Sequence, residues 1–355
     1  MAHVKVWLIV AVLLFPVAVV GKSVETTSGI VYIQNKQYEE ARVILLKAIA
    51  KNPKDGEAHF YLGLAYSELD SVGVAYNHYM KAKELEPKKA RDIANNIASN
   101  YAKHYTPGQN AFKQTNITEA ARQFELATQA DPTQSAAHFN LAVMYSRLAA
   151  ADSTYLDKAL TESDKVLTLA NTSDPNYLKA LQLSSRMLAQ LGRQDEAVER
   201  FRPLLEKDPS QYPVVEESGM ELLKAKSWKG AAALLKMAAD ARSKLGAEDF
   251  AVYSNIGIAE FNLRTDDPSK IDEAIAYYEK ALAIQPDDAP TVFNLVVAHM
   301  AKEDWVGAAV WGEKYVSVNA SDPKGWQYLA RCYSEAGDTD KASEALTRYQ
   351  QLKGQ

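Results

Sequence analysis

The 355-residue chain has one cysteine, Cys332, so no disulfide can form within it, and the thiol is expected to be buried in a helix. Its 40 lysines and arginines are interspersed with 45 acids, giving a net charge of -5. No basic cluster is present to meet a phosphate backbone, so nucleic acid is not an expected partner. The 16 glycines occur singly, which leaves no phosphate-binding loop. The histidines form no spaced metal motif. Ser184-Ser185 and Ser218-Gly219 lack the strand-turn-helix setting of a nucleophile elbow, and acid pairs such as Glu216-Glu217 read as solvated helix faces. No catalytic residue, metal site, cofactor or small-molecule substrate is therefore expected.

Long apolar runs are also missing, apart from Val6 to Gly21. Its sixteen residues fall short of the roughly 20 that a spanning helix needs. Lys5 precedes it, Pro16 breaks it, and Val19-Val20-Gly21 offers small residues for cleavage before Lys22. Residues 1–21 therefore read as a signal peptide or a short membrane anchor. No cysteine follows for lipid attachment. The expected location is the periplasm or the outer face of the inner membrane, ahead of secretion.

The rest of the chain is dominated by one pattern, clearest from Gly56 to Lys89: His59, Leu62-Gly63, Tyr66, Ala75, Tyr79, Ala82 and Pro87. Gly63, Ala75 and Ala82 are small enough for two helices to cross closely. Leu62, Tyr66 and Tyr79 fill the space around the crossings, and Pro87 stops the second helix. This spacing resembles the tetratricopeptide repeat family and returns, loosely, to the end of the chain. The resemblance implies an all-α fold, a right-handed superhelical solenoid of antiparallel helix pairs with about nine repeats.

The pattern is strong in repeats 1 to 4 and 7 to 9, and weaker in repeats 5 and 6, where Pro203 and Pro213 fall. An N-terminal array over 22–202 and a C-terminal array over 203–355 are expected, with Pro203 bending or shortening its helix. Repeat 3 is read from Ile97, Ala98 and Tyr101, then Ala120 and Phe124. Between them, within 104–116, an insertion centred on Thr106-Pro107-Gly108 reads as a loop. Shorter expansions fall at Ala151 to Thr154 and Thr265 to Ser269. In the last repeat Asp338, Asp340, Lys341, Glu344 and Arg348 supply the polar face that a terminal unit needs.

One residue type marks a candidate site. Asn96, Asn140, Asn255 and Asn294 are read just before the Leu-Gly pair or its equivalent, where the resemblance implies a side chain facing a concave groove. A carboxamide there can both donate to and accept from an extended peptide backbone. The alternative is that it orders the helix interface locally. The row is interrupted by Leu183 and Glu217, and the basic residues that clamp a terminal carboxylate in some family members are missing. Phe60, Phe139, Phe261 and Phe293 are expected on or near the same surface, making it partly apolar. Three glycosylation sequons, at Asn116, Asn171 and Asn319, complete the motifs.

Two functions fit. The first is a non-catalytic scaffold that binds an extended or helical segment of a protein or peptide in the groove. The second is a permanent subunit of an envelope assembly or membrane-associated complex, or a self-associating filament or lattice, using convex and edge surfaces.

Overall fold

The computed structural model describes residues 22–354, so the expected signal or anchor at 1–21 lies outside the described residues. The first four helix pairs are α1 (Val24–Gln34) with α2 (Tyr38–Lys51), α3 (Gly56–Glu68) with α4 (Val72–Leu85), α5 (Ala90–Lys113) with α6 (Ile117–Ala130), and α7 (Ser135–Leu148) with α8 (Tyr155–Leu169). Then come α9 (Pro175–Gln190) with α10 (Gln194–Lys207), α11 (Tyr212–Lys224) with α12 (Trp228–Lys244), and α13 (Phe250–Leu263) with α14 (Lys270–Ile284). The last are α15 (Ala289–Ala301) with α16 (Trp305–Val318), and α17 (Pro323–Ala336) with α18 (Thr339–Lys353). The fold is all-α, and the nine antiparallel pairs match the expected repeat count. No helix among the described residues is long and apolar enough to cross a membrane.

The chain divides into two compact units. One comprises the residues up to Pro107 with Glu125–Pro132, and the other comprises Gly108–Phe124 with Thr133–Gln355.

In five of the nine pairs a glycine of the first helix lies against a large residue of the second: Gly29 on Leu45, Gly63 on Tyr79, Gly108 on Phe124, Gly219 on Leu235 and Gly257 on Tyr278. A Cβ added at Gly63 would lie 2.6 Å from Tyr79, and one at Gly257 would lie 2.5 Å from Tyr278. Both tyrosines are almost fully buried. Aspartates begin many of the first helices by accepting from a free backbone N–H, as Asp55 does from Ala58 and Asp249 from Val252. Seven turns inside the pairs hold a residue in the left-handed region: Lys36, Asp70, Thr115, Gly192, Lys226, Glu303 and Gly337. The turns of the α7–α8 and α13–α14 pairs, which carry the expansions, do without it.

The segment 104–116 departs from expectation. Instead of a loop, most of it is helical, and Pro107 lies inside α5. A Cβ on Gly108 would lie 2.9 Å from Phe124, so Gly108 is the small residue of the third pair. His104, Pro107 and Gly108 stand in the register of His59, Leu62 and Gly63, and His104 is buried as His59 is. The added length lies at the start of α5 instead, where Ile93 is fully buried with Phe60, Ala75 and Tyr79. Pro203 also fails to shorten its helix, because α10 runs its full fourteen residues. The proline is exposed, so the carbonyl that loses its N–H partner can turn to water.

The histidines of the second pair are partnered within it. In the second pair the carbonyl of Pro53 can only accept, so Nε2–H of His59 donates to it at 3.2 Å. This leaves Nδ1 of His59 to accept from Nδ1–H of His78 at 2.9 Å, while His78 stacks on Tyr66. Burial holds both imidazoles below their ordinary range, His78 at about 4. Cys332 is fully buried, and burial raises its thiol to about 11.

Two measurements test this packing. Gly257→Val should destabilise the protein by about 1–3 kcal/mol in urea unfolding, because Tyr278 cannot retreat. The histidine pair predicts a pH dependence. Unfolded imidazoles bind protons near pH 6.5 while the native pair resists them, so stability is fully present above that pH and falls as pH drops towards about 4. The urea midpoint should decline over this window, and less in His59→Leu/His78→Phe; an equal decline in both proteins would refute the assignment.

Candidate binding surface

Within the larger unit the first helices touch one another in sequence: α7 with α9, α9 with α11, α11 with α13, and α13 with α15. They form a layer of their own, and one face of it remains open to solvent. From α13 this face receives Ser254, Asn255, Ile258, Phe261 and Asn262, all half-buried. From α15 it receives Phe293, Asn294, Val297 and Met300, also half-buried, and the exposed Ala301. None of these ten side chains is charged. The flanking first helices are charged at the matching places, through Glu216, Glu217 and Lys224 on α11 and Arg331 and Glu335 on α17.

Asn140, Asn255 and Asn294 share one register on this layer, each two residues before the crossing position held by Ala142, Gly257 and Val296. The Asn255 amide approaches the Met220 sulfur at 3.3 Å. The Asn294 side chain makes no hydrogen bond among the described residues. By contrast, Asn262 donates to the carbonyl of Ile258 on its own helix at 2.7 Å.

Asn96 does not belong to this row. It lies twelve residues before Gly108, in the smaller unit, and its amide donates to the carbonyl of Asp92 one turn back. The matching residue of that pair is Thr106. Phe60 also lies elsewhere: it is 7% exposed, packs at 6.1 Å from Tyr79, and has Lys89 over its ring. Phe139 is half-buried on α7. Phe261 lies under Arg264 at 3.9 Å, and Phe293 meets Tyr315 and Tyr328, each at 5.0 Å. Leu183 is 4% exposed and part of the core. Glu217 accepts from Gln182 at 2.7 Å.

Four stretches match models of the tetratricopeptide repeat family: residues 29–70, 105–165, 269–288 and 326–352. Those four stretches resemble tetratricopeptide repeats in sequence. The second stretch starts at residue 105, in keeping with the register set by Gly108 and Phe124. No curated protein matches the chain in sequence. Among solved structures it is similar to the C-terminal part of a repeat-containing protein from Cytophaga hutchinsonii, at 17% identity, TM-score 0.42, and coverage of 70% of this chain and 95% of that one. It is similar to MamA at 18% identity, TM-score 0.37, covering 49% of this chain and 94% of that one. It is also similar to PilW, described as a widely conserved type IV pilus biogenesis factor, at 20% identity, TM-score 0.35, covering 61% and 92%.

The outer side of the repeats is different in character. A cleft of about 380 Å³ lies between α10 and α12 over Leu205, Met237 and Ala241, rimmed by Arg202, Glu206 and Lys244. A second, of about 350 Å³, lies between α12 and α14 beside Tyr253 and Tyr277. On α16, Val306 and Val310 are 68% and 60% exposed, one turn apart.

A buried ion-pair cluster sits between repeats 6 and 7. Glu260 is 2% exposed and occupies the place of Tyr66 in the second repeat. It meets Lys236 at 2.6 Å and Lys270 at 3.7 Å, and Glu273 pairs with both lysines. Burial works against the charge on Lys236, but hydrogen bonds to Glu260 and Glu273 outweigh it and leave its pKa raised. No three His, Cys, Asp or Glu side chains are grouped to hold a metal among the described residues.

The two kinds of polar residue should respond differently to removal. Asn255→Ala and Asn294→Ala should each change unfolding free energy by no more than about 0.5 kcal/mol, since neither bridges repeats through a strong bond. Glu260→Ala leaves Lys236 only Glu273 as a counter-charge, and should cost about 2–3 kcal/mol. Thermal or urea unfolding of the three variants decides this.

Proposed function

We propose that this chain is a non-catalytic scaffold that works as one component of a larger protein assembly. What carries the reading is the open face of the first-helix layer, together with exposed apolar side chains on the second helices. Large solvent-facing surfaces of this kind suit holding partners rather than converting a substrate.

Two surfaces could supply the contact, and each has its own support. Val306, Val310 and the clefts beside α12 favour a permanent subunit that packs through its outer side. Asn140, Asn255 and Asn294, with Phe139 and Phe293, favour capture of a peptide segment on the inner side. We further propose export to the periplasm or the outer face of the inner membrane, on the composition of residues 1–21.

The test is affinity purification of the tagged full-length protein from detergent-solubilised envelope, with mass-spectrometric stoichiometry. The expected outcome is one or more partners at fixed stoichiometry with this chain. Val306→Lys/Val310→Lys should remove a partner held by the outer side, and Asn140→Ala/Asn294→Ala one held by the inner face, both without loss of helicity. Recovery as a bare monomer in the wild type would overturn the assembly role. N-terminal sequencing of the same sample reports on export, which predicts Lys22 as the first residue if the segment is cleaved.

A further inference from the structure

Consecutive pairs meet at fixed positions, and α1 and α18 carry the same positions exposed. Between α16 and α17, a Cβ on Gly325 would lie 3.4 Å from Val316, and one on Gly312 would lie 2.9 Å from Leu329. On α17, Gly325 stands five residues before the crossing position and Cys332 two after it. These two places are buried in six of the eight pairs that follow the first, as in Ala58 and Ala65, Val252 and Ala259, or Thr291 and Ala298. In α1 they fall to Val24 and Val31, which are 79% and 49% exposed.

The second helices show the other half. The places of Gly312 and Tyr315 are buried in all eight pairs before the ninth, as in Tyr79 and Ala82 or Tyr278 and Ala281. In α18 they fall to Leu346, 44% exposed, and to the half-buried Tyr349. The charges of the last repeat do not cover this surface as expected. Glu344 and Arg348 stand in the register of Val310 and Lys314, on the outer side. The place of Val316 is taken by the exposed Gln350. On α1 the neighbouring residues are Thr27 and Ser28, again uncharged. Lys22 and Glu25 pair within the chain, with Glu57 at 2.9 Å and with Lys51.

A terminal repeat stays in water by presenting a polar face, and neither of these surfaces has a charge at its centre. Both leave apolar side chains hydrated at places that inner pairs bury. A second copy of this chain supplies both missing halves at once. What α1 lacks is the inter-pair surface of a second helix, and α18 presents that surface.

We propose that α18 of one copy packs on α1 of the next, as α16 packs on α17 within the chain. This rests on the assembly reading and names a second copy of this chain as a component. The two halves are different surfaces, so each contact leaves one of each free, and association passes the dimer to a ring or a filament.

Purified full-length protein in mild detergent tests it. Val24→Cys and Gln350→Cys place thiols where Gly325 and Val316 stand in the inner contact, and the native Cys332 is fully buried. Under a mild oxidant the double variant should give a ladder of disulfide-linked dimers, trimers and longer species on a non-reducing gel. A mixture of the two single variants should stop at the dimer. In sedimentation equilibrium the mass of the unsubstituted protein should rise with concentration. Leu346→Glu and Val31→Glu should each weaken association about tenfold or more, because a carboxylate would be buried without a counter-charge. Both sites are exposed in the single chain, and circular dichroism checks that each variant folds. Association unchanged in both variants, or dimers formed by either cysteine variant alone, would overturn the head-to-tail contact. A monomer at every concentration would overturn self-association, while other proteins at fixed stoichiometry in the envelope purification would leave the assembly reading standing. Resistance of Val24→Cys to a maleimide in the dilute monomer would make residues 1–21 the cover of α1 and overturn the proposal.

Discussion

Everything in this protein depends on one steric arrangement: a missing or minimal side chain on one helix, filled by a ring or a branched chain from the next. Where Gly63 meets Tyr79, or Gly257 meets Tyr278, no room is left for a single further carbon. The contact fixes how closely the two helices approach, and the approach fixes which residues of the first helix face inward, sideways or outward. The solvent-facing row on the first helices is therefore a product of the core. Asn255 and Asn294 share a face because each stands two residues before the crossing position of its helix, Gly257 in one and Val296 in the other.

The arrangement also explains how much could be read from the sequence. Helix pairs, their number and most of their boundaries were legible, because a small residue followed at fixed spacing by a large one is visible as letters. Repeat 3 is less legible because Pro107-Gly108 has the local chemistry of a turn, which competes with the repeat spacing although both residues lie inside α5. The correcting signal was present: His104, Pro107, Gly108 and Phe124 keep the distances of His59, Leu62, Gly63 and Tyr79. The error displaced Asn96 into a row to which it does not belong. Phe60 was legible as apolar but not as core, since inward and sideways positions differ only by the packing of the neighbouring repeat. Glu260 carried a signal that went unused, a carboxylate where the second repeat has Tyr66.

Charge is distributed by the same logic. Between repeats, a buried carboxylate is accepted only with cations around it, as Glu260 has in Lys236 and Lys270. Within a pair, Glu162 is buried against His138 at 2.6 Å; burial acts upward on its pKa, and hydrogen bonds from His138 and Lys165 outweigh it and keep it lowered. The α13–α15 face follows the opposite course, with neutral side chains only.

The turns inside the pairs set where the chain accepts new material. Seven of them close through a residue in the left-handed region, five of which are not glycine, so the backbone there is held to one sharp path. The turns at Ala151 to Thr154 and Thr265 to Ser269 have left that path, each by five added residues, without disturbing the pairs on either side. They are natural ports in an otherwise closed architecture. A fluorophore, an epitope or a cross-linking handle placed at either one would report on the assembly from a known repeat, with the core and both faces left as they are.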